Sequence, residues 1–295
     1  ISVTSEAAKG IVTKPHTKHI CYCLTPTRYL WSGYDEYFEN KALKLLSKPA
    51  VKSLRVWDKI AANRPDKFIA ISKEVQSRIS KYYGRESTVV YPPVEIPNSK
   101  LQIPNKFQIQ NSKFESGSPR YFLIVSRLVP YKKIDLAVEA FNKLKLPLKI
   151  IGTGSEFGRL KVIAKSNIEF LGNLTDKELV SYYSSCRALI FPGVEDFGLT
   201  ILEAQSFGKP VIAFRAGGAL ETVIEGRTGL FFNQQNIESL EKAIKQFNNM
   251  KFDSRECIKN AEKFSFERFK KEFMEALKNY DPPSLKLRKG HASEA

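Results

Sequence analysis

What this 295-residue chain has little of narrows its class before any motif is read. Four cysteines are too few for a disulfide scaffold, so a reducing cytoplasm fits. No uninterrupted apolar stretch approaches the roughly 20 residues of a membrane-spanning helix. The opening ISVTSEAAKG has neither a basic start nor an apolar run, so it does not read as a secretory signal. Methionine is confined to Met250 and Met274, and the chain starts at Ile1, which fits a processed chain or a fragment. Acid is short too: 31 Asp and Glu stand against 47 Lys and Arg, a net +16. Residues 1–119 carry +9 and the remainder +7, so the excess is not a tail. Such a charge calls for an anionic partner: nucleic acid, an anionic membrane face or a phosphorylated substrate. With 42% hydrophobic and 26% charged residues, the balance is globular, which excludes wholesale disorder.

From Tyr121 onward the pattern alternates strand and helix. The apolar runs 121–126, 148–151, 168–171, 187–192, 210–214 and 228–232 read as short buried strands. Helical patterns at 132–144, 155–164, 176–184, 200–207 and 219–224 lie between them. Buried strands alternating with helices predict a doubly wound parallel α/β sheet, with ligands at the carboxyl ends of its strands. Residues 19–23, 67–71 and 88–91 predict three strands of a smaller unit of the same kind. The expected organisation is a partial first unit over 1–94, a linker at 95–119 and a second unit over 120–263. A terminal helix at 264–280, crossing back to the first unit, and a disordered tail at 281–295 complete it.

Three constellations carry chemistry. In FPGVEDFGLTILE (191–203), a strand ends, a loop carries Glu195, and a helix starting near Leu199 carries Glu203 on its first turn. Backbone N–H groups at that helix start make an anion site, and Gly198 allows close approach of a ligand. The same acids also suit a plain helix cap, with Asp196 and Glu195 answering the dipole. In VSRLVPYKK (125–133), Arg127 sits at a strand's carboxyl end, and Lys132 or Lys133 opens the next helix, a pair suited to a pyrophosphate. In IGTGSE (151–156), Gly152 and Gly154 follow a strand and permit approach of a phosphate or base, or simply a tight turn.

These pieces occur in one order on consecutive units. SRLVPYKKID, IGTGSE, FLGNLTDKEL, FPGVEDFGLTILEA, GKPVIAFRAGGALETV and EGRTGLFF resemble glycosyltransferase family 4, retaining transferases of the GT-B fold. The Glu-Asp-Phe-Gly variant (195–198) with Gly-Gly-Ala-Leu-Glu-Thr-Val (217–223) looks most like the polysaccharide mannosyltransferase-type members, and the front half also resembles that subgroup at YCLTPTRYLW (22–31) and VVYPPV (89–94). The resemblance implies two Rossmann-like domains around a cleft, the first incomplete here, and no metal or other cofactor. It implies a nucleotide-sugar donor, GDP-mannose by preference, and a glycan or lipid-linked acceptor in polysaccharide synthesis. Carried over by position, Arg127 and Lys132 grip the diphosphate, Glu195 contacts the donor sugar, and Glu203 holds the ribose. The amides of Phe197, Gly198, Leu199 and Thr200 contact sugar and phosphate. Gly152 and Gly154 line the nucleotide cleft, and Phe170, Leu171, Gly172 and Asn173 lie near the base. Leu24 stands where the family often has a histidine that positions the reacting sugar. Leucine cannot donate a hydrogen bond, which leaves the acceptor side to Thr25, Arg28 or Tyr29. A nucleotide-sugar-binding remnant without transfer activity is the alternative.

Two other patterns weigh less. His16, His19, Cys21 and Cys23 match no standard closed zinc site. Lys41, Lys44, Lys48, Lys52, Arg55 and Lys59 form a basic stripe beside Leu43, Leu46, Ala50, Leu54 and Trp57, with Pro49 expected to kink or split the helix. The stripe reads either as a solvated face or as peripheral contact with anionic lipid at the cytoplasmic membrane face. No nucleic-acid-binding signature accompanies the charge, so no nucleic-acid partner is expected.

Overall fold

The computed structural model describes residues 1–37, 41–95 and 121–278. Strands Ser2–Thr4 (β1), Ile20–Cys23 (β2), Lys67–Ala70 (β3) and Ser87–Val89 (β4) form a parallel sheet in that order. Strands Phe122–Val125 (β5), Leu148–Ile151 (β6), Ile168–Gly172 (β7), Leu189–Phe191 (β8), Val211–Phe214 (β9) and Gly229–Phe232 (β10) form a second parallel sheet, ordered β10-β9-β8-β5-β6-β7. Helices Tyr34–Tyr37 (α1), Lys41–Ala61 (α2) and Lys73–Tyr83 (α3) serve the first sheet. Helices Ile134–Leu144 (α4), Phe157–Ile163 (α5), Asp176–Ser185 (α6), Leu199–Ser206 (α7) and Ala219–Thr222 (α8) alternate with the strands of the second. Ile237–Asn248 (α9), Ser254–Glu262 (α10) and Phe266–Lys278 (α11) follow.

The strands of the second sheet are buried on both faces, as their unbroken apolar runs require. Phe122 and Ile124 of β5 face α4, α5 and α9, while Leu123 faces the layer of α6, α7 and α8. The first sheet packs on α11: Tyr22 meets Phe269 and Phe273 edge-on, and Lys67 Nζ donates to the Ala276 carbonyl at 2.7 Å. Its core continues into Phe197, Leu202 and Phe264, so one apolar cluster joins the two units.

Several local expectations differ. The first sheet has a fourth strand, β1, whose inward residues Ser2 and Thr4 are polar and leave no apolar signature. The helix before β3 runs unbroken from Lys41 to Ala61 with Pro49 inside it. Its Val51, Asp58 and Ala61 are buried, whereas Leu46, Leu54 and Trp57 face solvent. Lys132 ends a short 3-10 turn, Pro130–Lys132, and α4 begins only after Lys133, which turns the chain at φ 53°. The expected linker (95–119, apart from Glu95) and tail (281–295) lie outside the described residues.

A buried polar hub organises the loop after β2. Asp58 accepts from Thr27 Oγ1 (2.9 Å), Trp31 Nε1 (2.7 Å) and Tyr83 OH (2.8 Å), and pairs with Lys9 Nζ at 2.6 Å. Both charges are essentially inaccessible, so each is tolerable only because the other and the surrounding donors satisfy it. The hub fixes Thr27 and Trp31 on either side of Arg28. Lys9→Met is expected to lower the unfolding free energy by about 3–5 kcal/mol in a urea titration. Lys14→Met, at an exposed lysine, should change it by less than about 0.5 kcal/mol.

Candidate functional site

The second sheet reverses its winding direction between β5 and β8, and the crevice at the carboxyl ends of those strands is where such sheets bind ligands. Four loops converge there. The segment after β5 carries Arg127 and is tied to the loop after β6: Ser126 N donates to Ile151 O at 3.0 Å and Leu128 N to Thr153 O at 2.8 Å. Gly152 N reaches Gly172 O at the end of β7 (2.8 Å), and Thr153 Oγ1 reaches Asn173 Oδ1 (3.2 Å). A Cβ on Gly152 would fall 1.9 Å from the Ser126 carbonyl oxygen, and one on Gly154 2.2 Å from that of Leu128. These glycines are therefore required by the chain's own backbone, whatever else approaches them. Phe170 packs its ring against Phe157, and Leu171 is half-buried against the other core layer.

The loop after β8 is seated by the consecutive glycines Gly217 and Gly218, which the sequence offered only as part of a family motif, without a site role. Gly218 N donates to Glu195 O at 2.8 Å. A Cβ on Gly218 would sit 2.2 Å from the Phe197 Cα, and one on Gly217 2.4 Å from the Glu195 carbonyl oxygen. Gly198, at φ 89°, then starts α7 without any side-chain cap. Asp196 does not cap this helix. Phe197 is buried and stacks on Tyr91. Leu199 stays exposed at the helix start and Thr200 is half-buried. Glu203 falls on the second turn of α7 rather than the first, and its carboxylate accepts from Tyr183 OH at 2.6 Å. Burial pushes the Glu203 carboxyl above its ordinary range, and the Tyr183 hydrogen bond opposes this.

Charge fills the crevice. Lys132 pairs with Glu195, and the cavity they line with Ser126, Pro192 and Gly193 is only about 10 Å³, room for one water at most. Burial, then Arg28 and Arg127, push the Lys132 ammonium down to about 7; Asp196 works against them. Arg127 donates to Tyr131 OH at 2.9 Å, and the Arg28 guanidinium lies 4.8 Å from the Tyr131 ring centroid.

From the first unit, Arg28 reaches Asp196 at 2.5 Å, Arg78 holds the other carboxylate oxygen, and Ser72 Oγ donates to the Asp196 carbonyl at 2.6 Å. The N–H groups of Lys73 and Glu74, opening α3, donate to the two oxygens of Glu221 at 2.9 and 3.1 Å. Thr25 accepts from Arg78 at 3.3 Å, Tyr29 packs edge-on to Tyr37, and Leu24 is partly exposed. Arg78 and Ser72 carried no sequence signal, and Glu221 stood only inside a family motif, because their partners lie more than a hundred residues away. His19 is engaged with Ser2, Cys21 and Cys23 are buried, and among the described residues no His, Cys, Asp and Glu cluster could hold a metal.

The Glu203–Tyr183 contact gives a direct check. Tyr183→Phe removes the one interaction that lowers the Glu203 pKa, so the carboxyl should titrate at higher pH than in the parent, read by carbon NMR. The protein should lose about 1–3 kcal/mol of stability from the unpaired buried group.

Comparison with known proteins agrees with this geometry. The family model described as glycosyl transferases group 1 matches residues 105–264. An uncharacterized glycosyltransferase of Methanocaldococcus jannaschii is 30% identical over 70% of this chain and 56% of its own length. A GDP-mannose-dependent alpha-(1-6)-phosphatidylinositol monomannoside mannosyltransferase of Mycolicibacterium smegmatis is 24% identical over 62% of this chain and 53% of its own. The chain thus spans about half the length of these relatives. The structure of Anabaena HepE in complex with UDP-glucose is similar at TM-score 0.67 and 19% identity, over 89% of this chain and 72% of that one. That likeness establishes the fold as GT-B, two parallel α/β sheets. With more than half its residues inside the family match and its cleft at the switch point of the second sheet, the chain belongs to the group 1 glycosyl transferases.

Proposed function

We propose that this protein is a retaining glycosyltransferase that moves a sugar, mannose by preference, from a nucleotide diphosphate onto a glycan or lipid-linked acceptor in cell-surface polysaccharide synthesis. The observation that carries the reading is the meeting of Arg127, Lys132 and Glu195 at the switch point. Arg127 and Lys132 bind the diphosphate and stabilise the charge that grows on the leaving nucleotide. Glu195 contacts the donor sugar, Glu203 the ribose, and the amides of Phe197, Gly198, Leu199 and Thr200 the sugar and phosphates. Gly152 and Gly154 line the nucleotide side, with Phe170, Leu171, Gly172 and Asn173 toward the base. The Lys132–Glu195 pair fills the crevice, so donor entry parts it: the diphosphate replaces Glu195 as the partner of Lys132, and the freed carboxylate turns to the sugar. Thr25, Arg28 and Tyr29 face the acceptor side.

The GDP-mannose dependence of the mycobacterial relative supports the donor preference. Leu24 favours a second reading, a donor-binding protein without transfer activity, since leucine offers no proton or hydrogen bond. Transfer of labelled mannose to a glycan separates the two. Peripheral contact with an anionic membrane at its cytoplasmic face rests on α2. No helix among the described residues is long and apolar enough to cross a membrane. Yet Leu45, Leu46, Val56, Trp57 and Ile60 are exposed on α2, alongside Lys48, Lys52 and Lys59.

Calorimetry with GDP-mannose, UDP-glucose and GDP tests the donor site. One sugar nucleotide should bind preferentially, and Arg127→Ala and Glu203→Ala should each weaken it about tenfold or more, a loss of at least one charge-assisted hydrogen bond; unchanged affinity in both contradicts the site. The diphosphate raises the Lys132 pKa, so binding takes up a proton, and affinity should fall as pH rises above about 7. Vesicles of phosphatidylglycerol should retain the protein and shift Trp57 fluorescence to the blue, while phosphatidylcholine vesicles should not.

A further inference from the structure

The Glu195–Asp196 segment is gripped from two directions. The second unit holds it through Gly218 N on the Glu195 carbonyl. The first unit holds it through Ser72 Oγ on the Asp196 carbonyl and through Arg28 and Arg78, one on each oxygen of the Asp196 carboxylate. All three side chains of this ion-pair cluster are at most 16% exposed, so the contacts are only weakly screened by water. Asp196 has no other visible task, since α7 starts at Gly198 with no side-chain cap. Glu195, the neighbouring residue, projects instead to Lys132. Arg28 is itself held in place: its loop is fixed by Thr27 and Trp31 on the Asp58 hub. Arg78 is held by Glu74 and by Thr25.

We infer that Arg78 and Ser72 are positioning residues that act through Asp196 on Glu195, so the seat of the first unit sets where the Glu195 carboxylate meets Lys132 and the donor sugar. This deepens the reading above and rests on it for the donor. The geometric core, that Arg78 and Ser72 control the Lys132–Glu195 contact, stands apart from any substrate. One consequence is that the donor site is complete only when the two units are seated on each other. The acceptor side then reports to the donor side through the loop after β8. The charges acting on Lys132 are Arg28, Arg127 and Asp196, beside the Glu195 carboxylate in contact with it, and the Tyr131 ring centroid lies 5.3 Å away. Ser72→Ala leaves every one of these charges in place.

The test is competitive acetylation of the intact chain with acetic anhydride, with Lys132 labelling read by mass spectrometry against an exposed lysine such as Lys14. At about pH 5.5, well below the Lys132 pKa, Arg78→Gln and Ser72→Ala should each label Lys132 about threefold faster, the change expected for half a pKa unit. Arg78→Lys should return the rate toward the parent. Thermal unfolding is measured in parallel; should Arg78→Gln fail to fold, Ser72→Ala carries the test, as it removes no charge. In the second readout, GDP binding stays within about twofold of the parent while the preference for GDP-mannose over GDP is lost, as in Glu195→Gln, with no further loss in the double variant. Unchanged Lys132 labelling in both variants overturns the proposal, as does a fully additive double variant. Absence of all nucleotide binding in the parent, with labelling changed as expected, instead refutes the donor reading and leaves the positioning role standing.

Discussion

An acidic loop enters a cationic cleft, and the rest of the site follows from how those charges are compensated. Lys132 pairs with Glu195, and Arg28 and Arg78 with Asp196, all largely out of water, while Arg127 stands exposed at the edge of the cluster. Without the acids, three cations would face one another in a poorly solvated crevice, and burial already pushes Lys132 down to about 7. Each acid therefore has a partner from a different part of the chain: Asp196 from the first unit, Glu195 from the segment after β5. A diphosphate carries the same sign of charge and can take over one of these pairings. The unliganded cleft is in this sense a self-ligated version of the loaded one.

Backbone packing makes that arrangement possible. The Arg127 segment lies directly on the loop after β6, and the Glu195 loop lies directly on the turn after β9, with Gly152 and Gly154 at the first contact and Gly217 and Gly218 at the second. A methyl group at Gly152, Gly154, Gly217 or Gly218 would collide with main chain, which has no flexible end to swing aside. The glycines thus act on the proposed donor site at one remove, by fixing the loops that carry the charged side chains. The shared cluster of Phe197, Leu202, Tyr91 and Phe264 does for the two units what the glycines do for the loops.

Much of this was legible in the sequence where the signal is local. The six strands of the second sheet are continuous apolar runs, and the charged residues of the switch point sit immediately after them. Their motif spacing identified the family before any geometry was known. The unread parts share a physical cause. Ser2 and Thr4 fill inward positions of β1 with polar groups, so periodicity is silent there. Pro49 sits inside α2 even though proline usually ends a helix, and the exposed leucines of that helix invert the usual rule that apolar residues face inward. Asp196 looks like a helix cap in one dimension and is an inter-unit tie in three. Its partners Arg28 and Arg78 lie 168 and 118 residues away, and no spacing rule reaches across such distances.

The central claim is that the crevice between β5 and β8 is a nucleotide-diphosphate site whose anion displaces an internal carboxylate. A crystal structure of the chain with GDP bound tests it most directly. The account predicts the diphosphate at the carboxyl end of β5, in hydrogen-bond contact with Arg127 and Lys132, with Glu195 moved off Lys132 and Asp196 still held by Arg28 and Arg78. A diphosphate bound elsewhere, or bound there with the Lys132–Glu195 pair intact, would contradict it.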